Sequence, residues 1–392
     1  MRVAFDLTSW SNRRGYGRFT RGLVRAVLAR PRGHDFLLFL DEPAAAAALP
    51  AGGRVHVVAT REPASRGLRA GARRPLGVLR ALRRAVAAER PDWLVFPSVY
   101  SYFPPPRACR VVVGIHDVIP EDHPRLVFPR WRERLLWRLK SWAARRRADA
   151  VLTVSEFARD GLVRRFGLAA DEIWVVEEAA DPVFRPLAPG EIDRVLCERL
   201  GLAGSAPAIA YVGGFNPHKN LGALVDAVAE LRRRPALRGL RLFLVGDLDD
   251  PFTPGRAAVE ERVRSLGLEA AVSFTGYLDD GELAQVLNTV AVLALPSLSE
   301  GFGLPAVEAA ACGTPVVATR RSPLPALLSG GGLFVDPEHP GELLAALAAV
   351  LEDPALAARL GAAARARAAL LGWERSAESF LAALAGAAAA GR

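Results

Sequence analysis

The sequence predicts an α/β protein made of two doubly wound, Rossmann-like domains in series. Three observations predict it. Short, β-branched, continuously apolar runs recur along the chain, as strands buried on both faces of a parallel sheet do. Helix-length amphipathic stretches separate them. One segment with three prolines and a glycine, DPVFRPLAPGEID (181–193), interrupts this rhythm before it restarts.

In the first half, VAFDL (3–7), FLLFL (36–40), VHVVA (55–59), WLVF (93–96), VVVGI (111–115), AVLTV (150–154) and IWVVE (173–177) read as strands. Residues 17–30, 76–89, 130–147 and 155–166 read as helices. In the second half, strands are expected at 208–212, 240–245, 272–276, 290–296, 314–319 and 332–336. Helices are expected at 219–233, 255–266, 280–289, 304–312 and 340–351, and the tail 354–385 reads as Ala-rich helix with few breakers. The domains are therefore placed at 1–186 and 187–370, with a C-terminal helix, 371–392, crossing back to the first. In such a pair, ligands lie beyond the carboxyl ends of the strands, in the cleft between two facing domains.

Composition agrees. At roughly 150 residues per domain, 392 residues suit two or three domains. Hydrophobic residues at 51% and charged residues at 24% exclude disorder, collagen and coiled coil as the main theme. Cys109, Cys197 and Cys312 are distant and odd in number, which argues for no disulfide framework, no zinc cluster and a reducing compartment. The opening MRVAFDLTSW lacks a signal-peptide apolar core, and no charge-free apolar run of 18 residues exists, so a cytoplasmic location is expected.

The strongest local signal is SLSEGFGLPAVEAAACGTPVVAT (297–319). A glycine-rich turn, Glu300-Gly301-Phe302-Gly303, opens a helix at Leu304-Pro305, and Pro suits a first helical turn. The exposed N–H groups of 301–304 would form an anion site at a helix N-terminus, and two glycines let a phosphate approach the backbone. Glu308 lies about 6 Å further along the axis, where ribose hydroxyls beside that phosphate would meet it. Glu300, in the turn, would meet the group beyond the phosphate. The alternative is a capping Glu on an ordinary amphipathic helix.

Glu300 and Glu308, in the context EGFGLPAVEAAACGTPVV, resemble the nucleotide-binding signature of glycosyltransferase family 4, retaining enzymes of the GT-B fold. The resemblance extends through most of the chain. It implies that Glu300 lies near the donor sugar, that Gly301, Phe302, Gly303 and Leu304 contact sugar and β-phosphate, and that Glu308 binds the ribose.

Other motifs take their place beside this one. YVGGFNPHKNL (211–221) follows the first strand of the second domain, with Gly213 and Gly214 permitting a tight turn and Lys219 starting the helix. Only two of the 51 basic residues are lysines, Lys140 and Lys219, which favours a diphosphate contact for Lys219 over a solvated surface role. The family often carries an arginine where this chain has Gly214, and His218 is the candidate substitute cation. In SNRRGYGRF (11–19), Gly15 and Gly17 would meet the donor phosphate from the first domain or form a plain strand–helix turn, and Arg18 would be a phosphate contact or a surface residue. GIHDVIPEDHP (114–124) puts His116 at a strand end. The resemblance implies that His116 touches the donor sugar, with Asp117 orienting it or the acceptor. Ser155 caps a helix and lies with Glu156 near the cleft. By the same resemblance, Tyr277 and Leu278 in FTGYLDD (274–280) hold the nucleobase, and VGD (245–247) lines the same pocket.

No metal or cofactor is expected, because LDDP (248–251) and LDD (278–280) read as turns; cations and a helix dipole neutralise the leaving diphosphate. His116, Lys219 and Glu300 are the catalytic candidates. The HDVIP and GGFNPHKN motifs look most like bacterial polysaccharide mannosyltransferases, which implies GDP-mannose as donor and a glycan or lipid-linked acceptor. A UDP-glucose or other UDP-hexose transferase, a nucleotide-sugar 2-epimerase and a non-catalytic sensor or membrane scaffold are the alternatives.

Charge is uneven. Residues 1–186 hold 33 basic and 19 acidic residues, against 18 and 23 in 187–392. Stretch 130–147 combines Trp131, Trp137 and Trp142 with eight basic residues, and 66–84 is a second Arg-rich stretch. Both fit an anionic membrane, and equally a domain core with a solvated arginine face. No recognition motif for nucleic acid accompanies the charge.

Overall fold

The computed structural model describes residues 1–58, 75–202, 204, 206–248 and 254–389. The chain divides into two compact units. One comprises Met1–Glu178 with Trp373–Arg392, and the other Ala179–Gly372. The division thus falls eight residues before the expected 186/187, so the Pro-rich segment goes with the second unit. There Leu187 N donates to Asn288 Oδ1 at 2.9 Å and Asp193 N to Gln285 Oε1 at 3.0 Å.

The first unit holds a seven-stranded, all-parallel sheet: β1 (Arg2–Asp6), β2 (Asp35–Leu40), β3 (Arg54–Val57), β4 (Trp93–Phe96), β5 (Arg110–Gly114), β6 (Ala150–Thr153) and β7 (Ile173–Val175). Its order is β3-β2-β1-β4-β5-β6-β7. All of β4 and β6, and most of β1, β2 and β5, are buried, because helices cover both faces and the strands carry Val, Leu and Phe in unbroken runs.

The second unit holds six parallel strands: β8 (Ala208–Val212), β9 (Arg241–Val245), β10 (Val272–Gly276), β11 (Val292–Leu295), β12 (Val316–Thr319) and β13 (Gly332–Val335). Their order is β10-β9-β8-β11-β12-β13. In both sheets the order of strands reverses beside the first strand, at β1/β4 and at β8/β11. Right-handed crossovers send the connections on either side of that point to opposite faces. The loops leaving the two central strands therefore diverge, and a crevice opens at their carboxyl ends.

Among the described residues, the single-turn helices Pro43–Ala46, Ile119–Asp122, Pro124–Val127 and Leu324–Leu327 were not expected, and the longer helices differ from expectation in four places. Helix Arg194–Leu200, capped by the Asp193 side chain, lies where a linker ending at 193 was followed by no expected element. Helix Leu221–Leu231 begins after Lys219 rather than at it. Pro217–Lys219 is a separate 3-10 turn, and Asn220 at φ +56° breaks the two apart. The Ala-rich tail is two helices, Pro354–Ala368 and Trp373–Ala389, interrupted around Gly372. Finally, the first helix starts at Gly15, not 17.

Helix Trp373–Ala389 packs in the first unit. Its Trp373 ring occupies the space a Cβ on Gly22 would take, and Phe380 sits 5.7 Å from Phe5 and 6.2 Å from Trp174. Ser376 Oγ donates to Glu177 O at 2.6 Å. The three cysteines are buried free thiols.

Candidate active site

In the second unit, the loops after β8 and β11 flank the switch point, and they carry the residues singled out above. Lys219, at the end of the β8 loop, donates from Nζ to Glu300 Oε1 at 2.7 Å, 81 residues later in the β11 loop. Both side chains are largely withdrawn from water, at 19% and 11% exposed. Ser297, fully buried, donates to the same Oε1 at 2.6 Å. Backbone bonds lace the loops together: Leu298 N donates to His218 O at 2.8 Å, and Glu300 N to Arg321 O at 3.1 Å. Asn220 Nδ2 lies 3.2 Å from Pro296 O and 3.3 Å from Pro337 O. The ammonium is thus held at the crevice by two loops and a carboxylate.

The turn beyond Glu300 is shaped as its glycines require. Gly303, at φ +88°, caps helix Leu304–Cys312, with Pro305 in its first turn. A Cβ on Gly303 would lie 2.8 Å from Leu324 Cδ1, so both conformation and space demand glycine. Ala306 N and Val307 N both return to Gly303 O, at 2.9 and 3.4 Å, and these are the helix's first bonds. Gly301, Phe302, Gly303 and Leu304 are buried residues, and Leu324 packs beside Gly303. Glu308, on the next turn, is 1% exposed. Burial, and then the charge of Glu308 four residues back, push the Cys312 thiol up to about 12.

Gly213, at φ +152°, allows the turn after β8; a Cβ there would meet Tyr211 Oη at 2.6 Å. That hydroxyl donates to Gly214 O at 2.6 Å. His218 is half-buried in the 3-10 turn beside Lys219. Tyr277 and Leu278 follow the edge strand β10, two strands from β8, where Gly276 O accepts from Gly246 N at 3.1 Å. Tyr277 is 39% exposed while Leu278, at 6%, is core. Of the 245–247 segment, Gly246 approaches the group: a Cβ on it would lie 2.1 Å from Gly213 O. The acidic turn 248–251 lies partly outside the described residues, and among those described no three His, Cys, Asp or Glu gather as a metal site.

In the first unit, His116 and Asp117 follow β5, next to β4. His116 Nε2 lies 2.8 Å from Pro97 O at the end of β4, and a carbonyl only accepts, so Nε2 carries the proton. Burial pushes the imidazole down to about 4, so it is neutral near pH 7 with Nδ1 as an acceptor. Phe19 packs edge-on to the ring at 4.7 Å. Asp117 Oδ1 accepts from Ile119 N at 2.9 Å, holding the turn.

Gly15 and Gly17 lie inside the first helical turn, so the glycine loop expected to meet a phosphate is not a loop. Gly17 N donates to Arg14 O at 2.9 Å, and a Cβ on Gly17 would stand 2.0 Å from Asn12 O. Packing accounts for Gly17. Nothing lies within 4 Å of a Cβ on Gly15. Arg18 N joins the same turn, donating to Arg14 O at 3.0 Å. Ser155 Oγ accepts from Ala158 N at 3.0 Å as the helix cap, while Glu156 is exposed and paired with Arg159.

Sequence reasoning did not single out Ser297, Asn220 or Glu121. Glu121 Oε1 accepts from Trp137 Nε1 at 2.8 Å and Ser141 Oγ at 3.3 Å, and burial pushes the carboxyl up to about 6. Trp137 continues a stack through Tyr100 to Tyr16, with ring centres 5.1 Å apart at each step.

Comparison with known proteins agrees with both units. The family described as Glycosyltransferase Family 4 matches residues 13–183, and that described as Glycosyl transferases group 1 matches 197–367. The chain is 30% identical over 278 residues to the O-antigen chain mannosyltransferase B of Escherichia coli, covering 70% of each. It is 35% identical over 236 residues to the D-inositol 3-phosphate glycosyltransferase of Rhodococcus opacus, covering 60% of this chain but 52% of that protein. The chain thus spans about half the length of such inositol-phosphate relatives. The fold matches a sucrose-phosphate synthase from Thermosynechococcus elongatus at a TM-score of 0.77 and 23% identity over the full length of both chains. On these matches, the chain belongs to glycosyltransferase family 4, with the GT-B fold.

Proposed function

We propose that this protein is a retaining glycosyltransferase that moves mannose from GDP-mannose to a glycan or lipid-linked acceptor. One observation carries the reading: a lysine and a carboxylate paired across the two loops that flank a switch point, ahead of a buried glycine turn and a second carboxylate, Glu308, on the helix that follows. A nucleoside diphosphate brings more negative charge than Glu300 and competes with it for Lys219. The ammonium then faces the leaving diphosphate, assisted by His218, and Glu300, still held by Ser297, turns to the hexose. The 301–304 backbone at the positive end of helix Leu304–Cys312 takes the β-phosphate and sugar. Glu308 accepts from the ribose hydroxyls. In the first unit, neutral His116 offers Nδ1 to a sugar hydroxyl, and Asp117 holds its turn.

The acceptor hydroxyl attacks from the face the diphosphate leaves, and the departing phosphate oxygen takes its proton. The new glycosidic bond therefore keeps the donor's anomeric configuration. The mannosyl donor rests on the HDVIP and GGFNPHKN motifs and on the relative named as an O-antigen mannosyltransferase.

The test is transfer from GDP-mannose and UDP-glucose to glycan acceptors, with the product anomer read by NMR. An α-mannoside from GDP-mannose supports the proposal. Turnover of UDP-glucose alone moves the donor to the UDP-hexoses. Release of an isomerised sugar without acceptor identifies an epimerase, and binding with neither transfer nor hydrolysis identifies a sensor.

A further inference from the structure

Helix Trp131–Arg147 is anchored on one side and bare on the other. The anchored side buries Trp137, Ser141 and Ala144, with Trp137 5.5 Å from Phe128 and bonded to Glu121. On the bare side Trp131 is 61% exposed, Leu135 46%, Leu139 55% and Trp142 57%. At 100° per residue these four fall within an arc of about 80°. Arg132, Arg138 and Arg146, all exposed, lie in or beside that arc. The guanidinium of Arg132 sits 5.5 Å from the Trp131 ring centre, and that of Arg146 sits 6.0 Å from Trp142. The helix's single acid, Glu133, lies off this face and pairs with Arg130 at 3.4 Å. These apolar residues are therefore not domain core.

We propose that this face docks the protein on an anionic lipid surface. A contiguous apolar stripe marks an interaction site, and its composition selects the occupant. Tryptophans settle at the headgroup level while leucines reach below it. Arginines interleaved with them carry their guanidinium groups up to the phosphates. A second copy of this chain fits poorly, because two such faces would set arginine against arginine with no carboxylate between. The helix lies in the interface rather than across it: no described helix is long and apolar enough to span a membrane. This inference is independent of the donor and reaction proposed above.

The experiment is co-sedimentation of the full chain with phosphatidylcholine vesicles, with and without about one third phosphatidylglycerol. The expected result is binding that requires the anionic lipid and weakens as salt screens it. Replacing Arg132, Arg138 and Arg146 together with Gln should weaken binding about a hundredfold, at roughly fivefold per arginine. Trp131→Ala with Trp142→Ala should weaken it at any salt. All five residues are exposed, so the variants should keep the wild-type melting temperature, which is measured alongside. Failure to bind anionic vesicles overturns the proposal. So does equal binding to phosphatidylcholine alone, unchanged affinity in the arginine variant, or a concentration-dependent dimer abolished by the tryptophan changes.

Discussion

The two units build the same device from opposite materials. In each sheet the strand order reverses beside the first strand; the second unit places Lys219 and Glu300 in the loops at that point, and the first places His116 one strand further out, after β5. In the second unit the loops are fastened by charge: Lys219 and Ser297 converge on one carboxylate oxygen of Glu300. In the first unit the group that burial selects is a neutral imidazole, tied to the Pro97 carbonyl and packed on Phe19. A charged crevice suits a diphosphate, whose field a partly buried lysine meets without much solvent screening. A neutral, aromatic one suits sugar hydroxyls, where a fixed lone pair orients without holding an anion. One topology thus carries a charged site in one unit and a neutral one in the other.

The largest effect should come from breaking the charged side. Lys219→Ala should lower transfer about a thousandfold, the upper range for losing one preorganised charge-stabilising group. Ser297→Ala should cost less, about tenfold, because it loosens Glu300 without removing it; kcat should fall more than KM rises. Equal loss from the two changes would mean that the pair serves folding rather than chemistry, and the melting temperatures of both variants decide that.

Glycine substitutions sharpen the comparison next. Gly303→Ala should destabilise by about 2 kcal/mol, since it adds left-handed strain to a contact with Leu324. Gly17→Ala should cost at least as much, with Asn12 O in the way. Gly15→Ala, in open space at a helix start, should be neutral or stabilise by up to about 1 kcal/mol. If it stabilises yet abolishes transfer, Gly15 meets a ligand; if transfer survives, it is a helix residue alone.

The smallest effect is a pH dependence confined to the first unit. Glu121 titrates near 6 folded, against an ordinary 4.5. The folded state binds more protons between those values, so stability falls as pH rises through that window, by on the order of 1 kcal/mol. His116 has the opposite sign: its lowered value means stability is lost as pH falls from 6.5 toward 4. Glu121→Gln should therefore gain on wild type in melting temperature between pH 4.5 and 6 and hold that gain above. Parallel profiles would show that the carboxyl is hydrated.

Most strands were legible because parallel strands buried on both faces read as unbroken apolar runs; WLVF and AIAYV are cases in point. What escaped the sequence depends on contacts distant along the chain. Nothing local joins Lys219 to Glu300; the adjacency of β8 and β11 does. Ser297 is an ordinary loop serine until the turn folds it onto Glu300. Gly15 and Gly17 imitate a phosphate loop, whereas Gly17 answers to Asn12. The spacing of Trp131, Leu135, Leu139 and Trp142 is that of a core-facing stripe, and only the packing of Trp137 on the opposite side shows which face is buried. Helix Arg194–Leu200 is too short to establish a period after a proline-rich stretch.

The most direct test of the central claim compares ligands differing by one phosphate. Calorimetric titration of wild type and Lys219→Ala with the nucleoside diphosphate and monophosphate of the working donor isolates the β-phosphate's contact. Wild type should bind the diphosphate at least tenfold more tightly than the monophosphate, and the variant should bind the two nearly alike. A variant that kept the full preference for the diphosphate would contradict the assignment of Lys219.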